Sequence, residues 1–578
     1  MDDQGKISNL PLPQPTAQDI EGTLSDKKTK VDYDRARQFI DYYTRKFGFN
    51  RENIEYNTVS GSDRRRGSIW EAVMTIGGNR ISSGRGSTKK LAQKNCYVDT
   101  AIYLEACDPA LWKAFVAAAT KERALGMAPP VYCTMSESLE DEVYELCVDM
   151  KKSALYKNAL KLRPSPPDPK DLHGAPGTQQ PLDEQTPLGK ILLQLPVEAQ
   201  VGRLVLMGAF FKCLDNALTL AAILTNPDPF VSQMQLKQDT TAVKHSWTHS
   251  DFRSDVLAVF KVYNAWWEMQ GRGDYVAANR FCSKKLLAKP TLLVIQKVKV
   301  HLLQSLYHTG VIDVSMGMEK QARMGKTGEA TIPPELDINR KSTPLLAALI
   351  AVASQPNFAV RTGEMSYRTS QDKVSWSLLF NFPDPLTQPH LQRVFIHPSS
   401  VNHRKKEMPP PDNAPLREKQ IIAFAEKRQD VSVVTNDPQK FIVTTTRLDP
   451  MSYMLFGAYN IQVAGRGLAC DEWLPVIGSQ SALNQIPRLK EAMDLCFLRV
   501  YEGIVMAKRN RHGRVIMPRP EEQVEEPDGD EDEMGQARAR DLPLSSTEIG
   551  EFEDFTRNLV HILNRYSDER IASQSVRE

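Results

Sequence analysis

Paired cysteines are missing from this sequence. Its eight cysteines, at positions 96, 107, 133, 147, 213, 282, 470 and 496, form no CxxC pair. Neither a zinc ribbon nor a disulfide framework is therefore indicated, and a reduced compartment, cytoplasm or nucleus, is expected. Long apolar runs are missing too. The longest, around Leu345 to Ala353, are too short to span a bilayer, and nothing resembles a signal peptide, so no membrane partner is expected. No GxxxxGK[ST] string occurs, and the lone GKT, Gly325-Lys326-Thr327, has Lys320 where the first glycine belongs. Without that glycine cradle the backbone has nothing to wrap a nucleotide's phosphates. No GxSxG, Cys/His dyad or carboxylate pair on a clear scaffold is recognisable, so no catalytic residue is assigned. His245 and His249 stand four apart, but HSWTH lacks the metalloprotease glutamate and a third ligand. No metal site is assigned.

What is present is ordinary globular composition with an uneven charge. The chain has 578 residues, 41% apolar and 25% charged, enough for several domains, each with its own core. Its net charge of +2 averages opposed regions. Residues 26–107 hold 16 Lys/Arg against 10 Asp/Glu, while residues 520–535 hold nine acids and no base. The basic front points to a polyanion partner, and the acidic run reads as a solvated tail.

Periodicity divides the chain. Residues 1–29 are polar and Pro-containing and read as a disordered lead-in. Ala36, Phe39, Ile40, Tyr43 and Phe47 then share one helical face. Trp70, Ala72, Met74 and Ile76 alternate as a strand, a short strand follows near Arg80–Ser83, and Leu91, Val98 and Ile102 mark a second helix. The order α-β-β-β-α over residues 30–108 predicts a two-layer α+β domain. Residues 109–181 read as a helix, with Thr134 and Glu137 as its capping box, and then a Pro-rich linker over 163–181. Residues 182–310 read as an all-α bundle, with 201–224 apolar almost all round as a buried helix pair. A connecting segment (311–373) leads to short β-rich runs at 374–480, VSWSLLF, RVFIHP, QIIAFAEK, VSVV and KFIVTTT, which suggest a small barrel. A helix over 481–510, an acidic tail over 511–545 and an amphipathic helix over 546–570 complete the reading.

The string GRGSTKKLAQKNC, Gly84 to Cys96, is the most informative. Glycines end a strand, a small polar residue caps a helix, and Lys89, Lys90 and Lys94 crowd its first turns. Those cations then lie beside free backbone N–H groups and the positive end of the helix dipole, a good phosphate site. A solvated helix end is the bland alternative. The string resembles the last-helix motif of double-stranded-RNA-binding domains, especially those of RNA helicase A-like proteins, over roughly 31–107. The resemblance implies shape readout across two minor grooves and the phosphates between them. It makes Lys89 and Lys90 the phosphate-clamping pair, with Lys94 one place displaced from the third lysine, and sends the first helix (Asp34 to Lys46) into a minor groove. The loop GSDRRRG departs from the family's Gly-Pro-x-His, and Arg64, Arg65 and Arg66 are candidates for phosphate contacts instead.

From Thr186 onward, TPLGKILLQLPVEAQVGRLVLMGAFFKCLDNALTLAAILTNPDPFVS resembles the helicase-associated region of DEAH/RHA-type helicases. SDVLAVFKVYNAWW, VFIHPSSVN, IAFAEK and LDPMSYMLFG continue the match in order over about 186–480. The resemblance implies a partial winged helix, a ratchet-like bundle and an OB-fold that holds single-stranded RNA. Its candidate contacts are His397, Ser399, Ser400, Asn402, Arg404, Lys405, Lys406 and Lys427, with His397-Pro398 as a plain turn the alternative. Trp266, Trp267, Tyr263 and Phe260 read as bundle core. Val256 replaces a usual His, and Val443 a frequent Arg.

The family's motor, which uses ATP and Mg, has no counterpart here, since neither a P-loop nor a DEAH string occurs. No cofactor is expected for this chain. The leading expectation is an RNA-binding protein for double- and single-stranded RNA, docking a complete helicase or other proteins through its helical domain. A truncated or spliced form of an ATP-dependent 3′–5′ RNA helicase and a protein-binding adaptor are the alternatives.

Overall fold

The structure, a computed structural model, describes residues 22–24, 29–47, 49, 53–59, 69–124, 130–162, 186–231, 237–248, 252–312, 332–368, 374–383, 391–403, 420–429, 440–464, 467–511 and 543–575. Outside them lie Arg64, Arg65, Arg66, Arg404, Lys405, Lys406, His249, the VSVV run, the Pro-rich linker, the GKT string and the acidic run. The chain forms two compact units. The first holds residues up to Leu125 with 462–469 and 477–484, and the second holds the rest.

In the first unit a two-residue hairpin, β1 (Gly22–Thr23) with β2 (Lys30–Val31), precedes α1 (Tyr33–Phe47). An antiparallel meander follows, β3 (Asn53–Val59), β4 (Ile69–Ile76) and β5 (Asn79–Gly86), and then α2 (Lys89–Cys107). The predicted α-β-β-β-α order is present. Ala36, Phe39, Ile40, Ala72, Met74, Ile76, Ala92 and Val98 meet in one buried core. Strand β5 runs so close under α2 that a Cβ on Gly84 would lie 2.1 Å from the Cys96 amide nitrogen, and one on Gly86 2.6 Å from that of Ala92. Only glycine permits that approach.

The domain continues past residue 108, where the sequence reading ended it. Asp108 closes α2, and its carboxylate accepts from the amides of Ala110 and Leu111. The chain thus restarts at once as α3 (Pro109–Ala124). This helix adds Leu111, Trp112 and Phe115 to the same core, with Trp112 edge-on to Phe39 at 4.8 Å.

The second unit begins with a short strand, β6 (Val131–Cys133), then α4 (Glu137–Lys152) and α5 (Ala154–Leu160). The cap of α4 is Ser136, which accepts from Leu139 N, not Thr134. One face of α4, Leu139, Val143, Leu146 and Met150, is buried. Helices α6 (Pro187–Leu192), α7 (Ala199–Phe210), α8 (Leu214–Leu224), α9 (Lys237–Ser246), α10 (Asp255–Gly271), α11 (Tyr275–Lys284) and α12 (Lys289–Thr309) form the bundle. As the 201–224 pattern requires, α7 and α8 are buried nearly all round. Tyr263, Trp266 and Phe260 are core, while Trp267 is 37% exposed and stacks on Tyr263.

Helix α13 (Thr343–Ser354) is apolar and buried. It leads into β7 (Phe358–Arg368), β8 (Val374–Pro383), β9 (Leu391–Ile396), β10 (Ile421–Gln429) and β11 (Lys440–Leu448). These close into a barrel in the order β10-β11-β9-β8-β7, because β10 pairs with both β11 and β7. Only β11 and β9 run parallel. The barrel therefore spans 358–448, not 374–480: its first strand lies in what read as a connecting segment, where Phe358–Arg368 offers little hydrophobic alternation.

Two long helices follow, α14 (Gln480–Arg511) and α15 (Ser546–Ser575). Ser545 and Glu548 form a reciprocal capping box at the start of α15. Further along α15, Glu551 accepts from the first two amides of α5, and Glu569 from the amide of Ser136, the cap of α4. All eight cysteines are free thiols. No described helix is long and apolar enough to cross a membrane.

Candidate nucleic-acid interface

The lysine surface of the first unit is built by one cap. Thr88 is extended, and its side chain accepts from Leu91 N, which starts α2 at Lys89. Lys89 and Lys90 thereby become its first two residues, with no acid in the first turn. The unpaired N–H groups and dipole of the helix add to their charge. Both side chains are exposed, and Lys94 follows one turn on, half-buried. Asn95 Nδ2 donates to the Arg85 carbonyl at 2.7 Å, which fixes the end of β5 against the helix. Arg85 is itself engaged with Glu71 at 3.0 Å.

Helix α1 buries two flanks. Ala36, Phe39 and Ile40 enter the core, and Tyr42 packs against Phe115 of α3. What remains toward solvent includes exposed Arg37 and half-buried Gln38, Asp41 and Arg45. Burial raises the Asp41 carboxyl above its ordinary value, opposed by the nearby Arg45 and Arg37 charges. That stripe lies on the solvent side of α1.

The barrel contributes a second surface. Val394, Ile396, Ile422, Phe424 and Ile442 fill the interior. Alternation turns Phe395 and Phe441 outward. They are register partners on the parallel pair, half-buried, with ring centroids 6.2 Å apart. His397 stands edge-on to Phe441 at 6.0 Å. Exposed Arg393, Lys427 and Arg428 lie on the strands around them, Arg428 paired with Glu426 at 2.8 Å.

The predicted barrel residues separate into two groups. His397 Nδ1 lies 2.7 Å from Ser399 Oγ and accepts from Ser399 N, so these two shape the turn while keeping partial exposure. Ser400 and Asn402 are not surface contacts: they are 1% and 9% exposed. Ser400 Oγ lies 2.7 Å from both Asp255 Oδ2 and Thr445 Oγ1. Asn402 Nδ2 donates to the Arg253 carbonyl and to Thr445 Oγ1. A short polar run after a strand looks the same whether it faces solvent or a helix end; here it faces α10. Lys244 pairs with the same carboxylate at 3.0 Å and with Asp228 at 2.7 Å. Burial disfavours its charge, but Asp255 and Asp228 outweigh that and raise its pKa.

Sequence reasoning missed Phe395 and Phe441. Alternation within RVFIHP and KFIVTTT signals an outward Phe in each, but only the β9–β11 pairing brings them together. No cluster of three or more potential metal ligands occurs among the described residues.

Two family models match the chain, one in the first unit and one in the helical bundle, and neither reaches the barrel. Residues 37–104 match the double-stranded RNA binding motif, and residues 198–259 match the ratchet-like helicase associated domain. An RNA-binding protein carrying a helicase-type accessory domain is thus the class defined. Curated relatives include the ATP-dependent RNA helicase dhx29 of Xenopus laevis, 27% identical over 290 residues, which is 50% of this chain and 18% of that protein. The ATP-dependent DNA/RNA helicase DHX36 of Homo sapiens is 25% identical over 316 residues, 54% of this chain and 27% of its own length. The putative ATP-dependent RNA helicase DHX57 of Mus musculus is 28% identical over 202 residues, 34% and 14% of the two chains. The chain spans less than a third of the length of these relatives. It is a DEAH/RHA-type helicase-related protein.

Proposed function

We propose that this chain binds RNA with two surfaces built from the accessory domains of a DEAH/RHA-type helicase, with no motor among its 578 residues. Duplex RNA is held by the first unit through shape and phosphate contacts. Lys89 and Lys90 clamp phosphates, Lys94 supports them, the α1 stripe faces a minor groove, and Arg64, Arg65 and Arg66, between β3 and β4 in the sequence, add charge. The observation carrying this reading is the placement of Lys89 and Lys90 as the first residues of α2, with no acid in that turn.

Single-stranded RNA is held by the barrel, read as an OB-fold. Support comes from its five-strand order with one parallel pair and from the Phe395 and Phe441 rings with cations around them. Such surfaces stack bases on aromatics and track the backbone with cations. His397, Ser399 and Lys427 remain contacts in this reading, with Arg404, Lys405 and Lys406 next in the sequence, whereas Ser400 and Asn402 support the turn from beneath. Protein partners, a complete helicase among them, would meet the helical bundle. No cofactor is proposed.

The test is titration of the full chain with duplex RNA across a salt series. Affinity is expected to fall by about 0.7–0.9 log units per log unit of salt for each phosphate neutralised. Lys89→Ala with Lys90→Ala is expected to remove most of that affinity. Unchanged affinity in the double variant would overturn the assignment of α2, and salt-insensitive binding would favour the adaptor reading.

A further inference from the structure

Two of the three lysines at the start of α2 are held by rings rather than by acids. Lys89 Nζ lies 4.5 Å from the centroid of the Trp70 ring and 5.8 Å from that of Tyr56, and Lys94 Nζ lies 5.6 Å from Tyr33. Among the described residues, none of Lys89, Lys90 and Lys94 is engaged in an ion pair. The contrast with neighbouring Arg85, which Glu71 holds, is direct.

The fold makes this seat. Trp70 is the second residue of β4, and its register partners are Thr58 on β3 and Gly86 on β5. Gly86 places no side chain between the indole and the first turn of α2. Thr88 starts the helix at Lys89, whose four-carbon stem then reaches the ring face. Tyr56, 39% exposed, flanks the same ammonium.

A carboxylate partner would neutralise the lysine, and a phosphate would have to displace it. A ring face attracts the ammonium through its quadrupole and leaves the charge intact. It also narrows the rotamers of a side chain whose freedom is otherwise lost on binding. We propose that Trp70, flanked by Tyr56, is a positioning residue for duplex RNA binding that holds Lys89 charged and pre-set for a backbone phosphate. This rests on the reading of α2 as a duplex-binding element.

The experiment is a double-mutant cycle on the full chain with a blunt RNA duplex of about 20 base pairs, long enough for one such domain, titrated at several salt concentrations. Trp70→Leu is expected to weaken binding roughly three- to tenfold, the worth of a cation–π contact of this kind, and Trp70→Phe, which keeps a ring, to weaken it less. In a Lys89→Ala background Trp70→Leu should cost nothing more, whereas with Lys90→Ala the two losses should multiply. Lys89→Ala should also lower the salt slope by about 0.7–0.9, while Trp70→Leu leaves it in place. Should Trp70→Leu lower the melting temperature, Trp70→Phe and Tyr56→Leu carry the same cycle. Losses that multiply for Trp70 and Lys89, or no loss on removing the rings, would overturn the seat and leave the duplex reading intact. Unchanged affinity in Lys89→Ala would overturn both.

Discussion

The Asp255 carboxylate accepts a hydrogen bond from Ser400 Oγ at 2.7 Å, which ties the first residue of α10 to the turn after β9. The same carboxylate accepts from Val401 N at 3.0 Å and from Thr445 N at 2.8 Å. Lys244 balances its charge. The bundle and the barrel of the second unit are thus joined through one buried anion.

Removing that anion should therefore cost more than removing any single hydrogen bond. Asp255→Ala leaves a buried ammonium facing only Asp228 and two buried amides without their acceptor, a defect worth about 3–5 kcal/mol. Hydrogen exchange at the Val401 and Thr445 amides is expected to accelerate by about two to three orders of magnitude. Asp255→Asn should show a smaller effect. Unchanged protection of both amides would show that the joint is held elsewhere.

Barrel substitutions should separate binding from stability. Phe441→Ala is expected to weaken binding of a single-stranded RNA by about 1–3 kcal/mol, the value of one stacked base, with duplex affinity unchanged. Ser400→Ala, which removes a buried hydroxyl, should lower the melting temperature and leave single-strand affinity within about twofold, as its hydrogen bond is internal. The single-strand surface lies elsewhere if Phe441→Ala binds like the parent chain.

Gly84→Ala should damage the first unit through sterics alone. Its Cβ would fall 2.1 Å from the Cys96 amide nitrogen, and backbone cannot yield as a flexible side chain can. A loss of about 1–3 kcal/mol is expected from such overpacking, together with weaker duplex binding as α2 shifts. Thermal melting reads the first effect. Gly271→Ala, where a Cβ meets nothing within 4 Å, is the control that should melt like the parent.

A pH dependence is expected at Asp337. Burial, and next the nearby Asp215 charge, push its carboxyl up to about 6, against the lowering effects of the Asp215 amide, Arg340 and Lys299. A carboxyl whose pKa is raised by folding binds its proton more tightly when folded. Its contribution is then greatest at low pH and is lost as pH rises from about 4 through about 6. Asp337→Asn should raise the melting temperature at pH 7 by about 2–4 °C, allowing for solvent screening of a half-exposed group. The gain should vanish near pH 4. A gain of equal size at both pH values would rule out titration of this carboxyl as its source.

Legibility followed how local the cause of each feature is. The caps at Thr88 and Ser545, the helix pair at 201–224 and the α-β-β-β-α order depend on neighbours a few residues apart, and the chain displays them directly. The start of the barrel at Phe358 was not legible, since β7 is held by pairing to β8 and β10 rather than by its own alternation. Likewise α3 was read as lying outside the first domain, because Leu111, Trp112 and Phe115 gain their meaning only against Phe39 and Tyr42.

The sequence by itself determined where the cations at the head of α2 lie: lysines in that position stay there in any fold that keeps the helix. Only tertiary structure decided which polar residues remained available to a ligand. Ser399 and Ser400 are adjacent in the chain, yet one stays at the surface and the other is buried against Asp255. Trp70 and Lys89 are 19 residues apart, and only the glycine-spaced crossing of β5 beneath α2 sets the ammonium on the ring. Burial and long-range juxtaposition depend on what the rest of the chain brings alongside, and no local pattern of residues encodes that.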